Sequence, residues 1–130
     1  MKKILIIDDE PEICEGIAEM LKESGYQTIT ANRGMQGFDL AVSEKPDLII
    51  LDIALPDLEG TVVYENIRKH PDIQNTKVIF LTALAMNAPE QFAGIDRPDY
   101  TIISKPVQFE TLQKEIERCL AMDENSYGRS

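Results

Sequence analysis

The sequence predicts an α/β fold, a doubly wound parallel sheet of five strands with helices on both faces. Three observations predict it. Short, uninterrupted aliphatic runs recur along the chain, as in strands buried on both faces. Segments with helical apolar spacing separate these runs, so successive strands are joined by long crossovers and lie parallel. Acids, a hydroxyl and a lysine stand just after the runs, where an open parallel sheet keeps its functional crevice.

Lys3 to Ile7 is the first strand and ends abruptly in Asp8-Asp9-Glu10-Pro11. Pro11 suits a first helical turn, the acids complement the helix dipole, and Ile13, Ile17, Met20 and Leu21 carry the helix to Ser24-Gly25. Tyr26 to Ala31 alternates as the second strand. Gly34 to Val42 is a second amphipathic helix, closed by Lys45-Pro46, and Asp47 to Leu51 is the third strand, which delivers Asp52 to its carboxyl end.

Leu55 to Gly60 is a loop by its Pro and Gly, and Val62, Val63 and Ile67 mark a third helix ending near His70-Pro71. Lys77 to Leu81 is the fourth strand and runs directly into Thr82. Pro89, Gly94 and Pro98 interrupt any helix between Asn87 and Pro98, so a fourth helix there is short or irregular. Tyr100 to Ile103 is the fifth strand, and Phe109, Leu112, Ile116, Cys119 and Leu120 mark the last helix. Residues 1–122 read as one domain and 123–130 as a polar tail.

The balance of 23 acidic against 13 basic residues, a formal charge of −10, disfavours nucleic-acid phosphates and anionic membranes as partners of this chain. Cys14 and Cys119 show neither metal-ligand spacing nor a disulfide framework and read as buried thiols of a cytosolic protein. No apolar run approaches the ~18 residues of a membrane span, and the N-terminal run turns acidic at Asp8, where a signal peptide would continue. The expected location is cytoplasmic.

The strand ends carry the chemistry: Asp8-Asp9 after the first, Asp52 after the third, Thr82 after the fourth, and Ser104-Lys105-Pro106 after the fifth. Three carboxylates converging on one site are tolerable at neutral pH only with protons or a cation among them. Without a His or Cys cluster, oxygen ligands favour a hard cation, Mg²⁺. An Asp beside Mg²⁺ suggests phosphoryl transfer to the carboxylate, with Lys105 pairing one phosphoryl oxygen and the Thr82 hydroxyl donating to another. Each piece alone has a blander role, as a helix cap or a turn former. Local turn preferences do not, however, require complementary chemistry at four strand ends on one edge. His70, at a helix end before proline, reads as a solvated histidine.

In order and approximate spacing, Asp8-Asp9, Asp52 with Leu55-Pro56 and Gly60, Thr82-Ala83, and Lys105-Pro106 resemble the response-regulator receiver family of two-component signalling, over about residues 2 to 121. The resemblance implies a flavodoxin-like strand order 2-1-3-4-5 and Asp52 as the phosphoacceptor. It implies Mg²⁺ held by Asp8, Asp9, Asp52 and the backbone carbonyl of Ala54. Thr82, Ala83 and Lys105 become phosphate-binding and switch residues, and the Lys105-Pro106 peptide is expected to be cis. The implied partners are a sensor histidine kinase or phosphotransfer protein as donor and an output domain or effector protein; the implied role is signalling, not catalysis on an external substrate.

The sequence departs from the family where an aromatic switch residue usually stands, because that position is Ile102. Tyr100 lies on the same face of the strand, two residues earlier. Phosphorylation is therefore expected to order or release the segment Leu84 to Asp99 rather than to rotate an aromatic ring. The alternatives are a degenerate receiver acting by contact alone and an aspartate-dependent phosphohydrolase of the haloacid-dehalogenase type. The latter needs a second Asp two residues after its nucleophile, which Asp52-Ile53-Ala54 lacks. A nucleotide- or flavin-binding module would need a glycine-rich loop after the first strand, where Asp8-Asp9 stands.

Overall fold

The computed structural model describes residues 1–83 and 100–129, with side chains described as far as residue 121. Five strands, β1 (Lys3–Ile7), β2 (Gln27–Ala31), β3 (Leu48–Asp52), β4 (Lys77–Thr82) and β5 (Tyr100–Ser104), alternate with helices α1 (Pro11–Glu23), α2 (Gly34–Glu44) and α3 (Gly60–Lys69); α4 (Phe109–Arg129) closes the order. All strand pairs are parallel and the sheet order is β2-β1-β3-β4-β5, as expected from the sequence.

Successive side chains of a strand point to opposite faces, so β1 and β3 each feed two cores. Ile4, Ile6, Leu48 and Ile50 pack with Ile17 and Leu21 of α1 and Leu112 and Ile116 of α4. Leu5, Ile7, Ile49 and Leu51 pack on the other face with Ala41 of α2 and Val63, Tyr64 and Ile67 of α3. All five residues of β3 are buried, which explains the unbroken aliphatic run Leu48 to Leu51 that precedes Asp52. Each fully buried Leu or Ile contributes about 1.5–3 kcal/mol, so this double core dominates the stability of the fold.

The helix ends follow from local chemistry. Pro11 occupies the first turn of α1, and Gly25, at φ 93, takes the left-handed turn after it. Lys45 closes α2 in the left-handed region, immediately before Pro46. β3 begins at Leu48, one residue later than expected; Asp47 before it is tied to Lys3 twice, its amide donating to the Lys3 carbonyl at 2.8 Å and its Oδ2 accepting the Lys3 amide at 2.7 Å.

Tyr100 is held by neighbouring rings, with its centroid 5.6 Å from Tyr64 and 5.4 Å from Phe80, both edge-on. α4 runs through Arg129, across most of the polar segment 123–130. The short fourth helix expected between Asn87 and Pro98, and the response expected of Leu84 to Asp99, lie outside the described residues. Among the described residues, no helix is long and apolar enough to cross a membrane.

Candidate functional site

The carboxyl edge of the sheet assembles the site. β1 ends before Asp8, which is fully buried, and β3 ends on Asp52, which is 3% exposed. β4 ends on buried Thr82, paired in register with Ser104 of β5. Beyond that pair the Lys105 amide donates to the Thr82 carbonyl at 2.7 Å, extending the ladder and aiming the lysine back across the edge. The Lys105-Pro106 peptide is cis.

Lys105 Nζ lies 3.0 Å from Asp8 Oδ2, 3.2 Å from Asp52 Oδ2 and 3.3 Å from Glu10 Oε1. The Asp52 and Glu10 contacts are hydrogen bonds. The Asp8 contact is an ion pair without hydrogen-bond alignment, which leaves Asp8 Oδ2 buried with no donor directed at it. Asp8 Oδ1 accepts the Glu10 amide at 2.9 Å, and Asp52 Oδ1 accepts the Ala54 amide at 3.2 Å.

The backbone beneath these acids is tied down from three directions. The Asp8 amide donates to the Ala31 carbonyl of β2 at 3.1 Å. The Asp8 carbonyl accepts the Asn32 side-chain amide at 3.0 Å and the Cys14 thiol of α1 at 3.3 Å. Burial first, then the charge of Asp8, pushes the Cys14 thiol up to about 11, so it stays protonated and donating. Gly60 makes the other close approach: its amide donates to the Ile53 carbonyl at 2.7 Å, bringing the start of α3 against the end of β3.

Electrostatics sets the site apart from an ordinary turn. Burial, then the charge of Asp8, raises the Asp52 carboxyl to about 6, and Lys105 only partly opposes this. Burial would lower the Lys105 ammonium, but the close carboxylates of Asp8 and Asp52 hold it above the usual lysine value. One ammonium thus serves three carboxylates. One oxygen each from Asp8, Asp9 and Glu10 also lie within 4.8 Å of one another.

An all-oxygen donor set, an excess of negative charge and a buried carboxylate oxygen lacking a donor suit a hard divalent cation. Asp8, Asp52 and Lys105 are in mutual contact through Nζ, and Asp9 joins them through the acidic cluster. Ala54 and Ala83 flank the edge, both exposed, and Ile102 sits on β5 opposite Phe80, 37% exposed.

Glu10 is the site residue that sequence reasoning missed, having been read as a helix-dipole partner. Its signal was the lack of a short polar capper: Glu10 is the N-cap of α1 and makes no side-chain cap hydrogen bond. Asp57 was also missed. Its Oδ1 and Oδ2 accept the Gly34 and Met35 amides at 2.7 and 2.9 Å, anchoring the loop after Asp52 to the start of α2.

Known proteins place this arrangement. The family model of the response regulator receiver domain matches residues 4–117. Protein PilH of Pseudomonas aeruginosa is 33% identical over 93% of this chain and 99% of its own length. The DNA-binding dual master transcriptional regulator RpaA of a Synechocystis species is 33% identical over 92% of this chain, which spans 49% of that protein, so the chain covers about half the length of some relatives. Among solved structures, response regulator protein TrrA from Thermotoga maritima, in complex with Mg(2+)-BeF, is 35% identical with a TM-score of 0.76, over 92% of this chain and 100% of that one. The chain belongs to the response regulator receiver domain family of two-component signalling, whose members are signalling domains rather than enzymes.

Proposed function

We propose that Asp52 accepts a phosphoryl group from the phosphohistidine of a sensor histidine kinase or phosphotransfer protein in a Mg²⁺-dependent reaction, and that the modified domain changes its contacts with an output domain or effector protein. The observation that carries this reading is the placement of Asp52: a buried carboxylate at a strand end, 3.2 Å from the Lys105 ammonium and next to a buried acid with an oxygen lacking a donor. The complex of the related TrrA with Mg(2+)-BeF supports the same use of the site here.

In the proposed step an Asp52 oxygen forms a bond to phosphorus as the phosphorus–nitrogen bond of phosphohistidine breaks; the nitrogen keeps the bonding pair and gains a proton from solvent. Lys105 pairs with a phosphoryl oxygen, and the Thr82 hydroxyl and Ala83 line the same edge as phosphate-binding and switch positions. Asp8, Asp9, Asp52 and the Ala54 carbonyl would hold Mg²⁺, which when bound neutralises charge on the transferring oxygens. The Ala54 amide and the Lys105 ammonium hold the two Asp52 oxygens in place before any donor arrives.

Residues 1–122 form the receiver unit in this proposal, with 123–130 an appended polar segment. The charge of −10 argues against direct nucleic-acid or membrane binding by this chain and suits a cytoplasmic domain meeting a basic or mixed partner surface. The test is intact mass after incubation with Mg²⁺ and acetyl phosphate or phosphoramidate. One base-labile, metal-dependent phosphoryl group that is absent in Asp52→Asn is the expected result. No adduct on the wild type with either small donor or a cognate kinase would overturn the acceptor role and leave a receiver that acts by contact.

A further inference from the structure

Lys105 is crowded by carboxylates. Nζ donates hydrogen bonds to Asp52 and Glu10 and forms an ion pair with Asp8. A phosphoryl oxygen reaching for this lysine competes with them for its charge and its donors. Asp8 is fully buried and its Oδ2 has no other compensation, so withdrawing the lysine would strand a charge out of water. Asp52 carries the phosphorus itself.

Glu10 differs from both. Its carboxylate is 59% exposed, its contact at 3.3 Å is the longest of the three, and water can take over its hydrogen bonds. Its backbone is fixed, because the Glu10 amide is held by Asp8 Oδ1, yet its side chain makes no capping bond to α1. The side chain is free to swing while its root stays in place.

We propose that Glu10 is a displaceable counterion of Lys105, and so a positioning residue that sets the affinity of the site for a phosphoryl-like anion on Asp52. This rests on the acceptor role proposed above. In the unmodified protein Glu10 occupies one of the lysine's donors and part of its charge, and binding of the phosphoryl group releases it to solvent. A glutamate here makes the site more demanding of its donor than an uncharged residue would.

The experiment uses the full chain at saturating Mg²⁺, with beryllofluoride as probe and ¹⁹F NMR and amide shifts as readout. Glu10→Gln is expected to bind roughly two- to fivefold more tightly than wild type, the range set by the strength of exposed ion pairs. Without metal or anion, the Lys105 ammonium resonance should also move in Glu10→Gln, a change that a purely structural role would not produce; an unchanged thermal melt would show the fold intact. Equal or weaker binding by Glu10→Gln, or an unmoved ammonium signal, while Asp52→Asn abolishes binding, would overturn the counterion role and leave the acceptor reading standing. Absence of binding by wild type, Glu10→Gln and Asp52→Asn alike would overturn both.

Discussion

Gly60 and Asp52 share a space that admits no side chain: a Cβ at Gly60 would lie 2.2 Å from the Asp52 carbonyl oxygen. The neighbouring atoms are backbone, with Ile53 Cα at 2.8 Å, so no rotamer change relieves the clash. Gly60→Ala is therefore expected to cost about 1–3 kcal/mol, as overpacking does, and to weaken Mg²⁺ binding by shifting the end of β3. Urea unfolding and a Mg²⁺ titration would check both effects; wild-type values in each would refute the close approach.

Asp52 makes the ligand-free domain pH-sensitive. Its folded value of about 6 lies above its ordinary 3.8, so the folded state binds this proton more tightly than the unfolded chain does. The associated stability is fully present below the unfolded value and is lost as pH rises through the folded one. Asp52→Asn removes the ionisation, and in EDTA it is expected to stabilise the protein by on the order of 1–3 kcal/mol at pH 8 and by almost nothing near pH 4. Equal effects at both pH values, measured by denaturant unfolding, would contradict the raised carboxyl.

Mg²⁺ should relieve the same strain. A cation bound only by the folded chain stabilises it by about 2.7 kcal/mol at one hundred times its Kd. The melting temperature is expected to rise with Mg²⁺ in the wild type and much less in Asp9→Asn or Asp52→Asn. Identical Mg²⁺ responses in all three proteins would remove these acids from the metal site.

Asp57 should behave in the opposite sense to Asp52. The hydrogen bond from Met35, and then that from Gly34, hold its carboxyl below the usual aspartate range despite opposing desolvation. Its contribution is therefore present above the unfolded value and lost as pH falls through the lower folded one. Asp57→Ala should speed amide exchange at Gly34 and Met35 at neutral pH while leaving Ile49 and Ile50 protected; unchanged exchange at the helix start would show the anchor to be idle.

The sheet was legible because its strands are buried on both faces and so appear as plain aliphatic runs, with Leu48 to Leu51 the clearest case. Asp8, Asp52, Thr82 and Lys105 were legible for a related reason: a parallel sheet brings its strand ends to one edge. Glu10 and Asp57 were not, because their roles depend on where a side chain turns. A glutamate at a helix start satisfies the dipole whether or not it reaches Lys105, and an Asp after Pro56 suits a turn whether or not it anchors α2. A hint for Asp57 lay in Arg33, the N-cap of α2, which makes no side-chain cap bond and leaves the first helical amides in need of an outside acceptor.

The Cys14 grip on the Asp8 carbonyl turns the pocket floor into its own reporter. The thiol is 2% exposed and titrates near 11, so an alkylating reagent can reach it only when α1 parts from the end of β1. The modification rate of this native cysteine thus counts how often the acidic pocket breathes, and any ligand that clamps the pocket should slow that clock without a label being added.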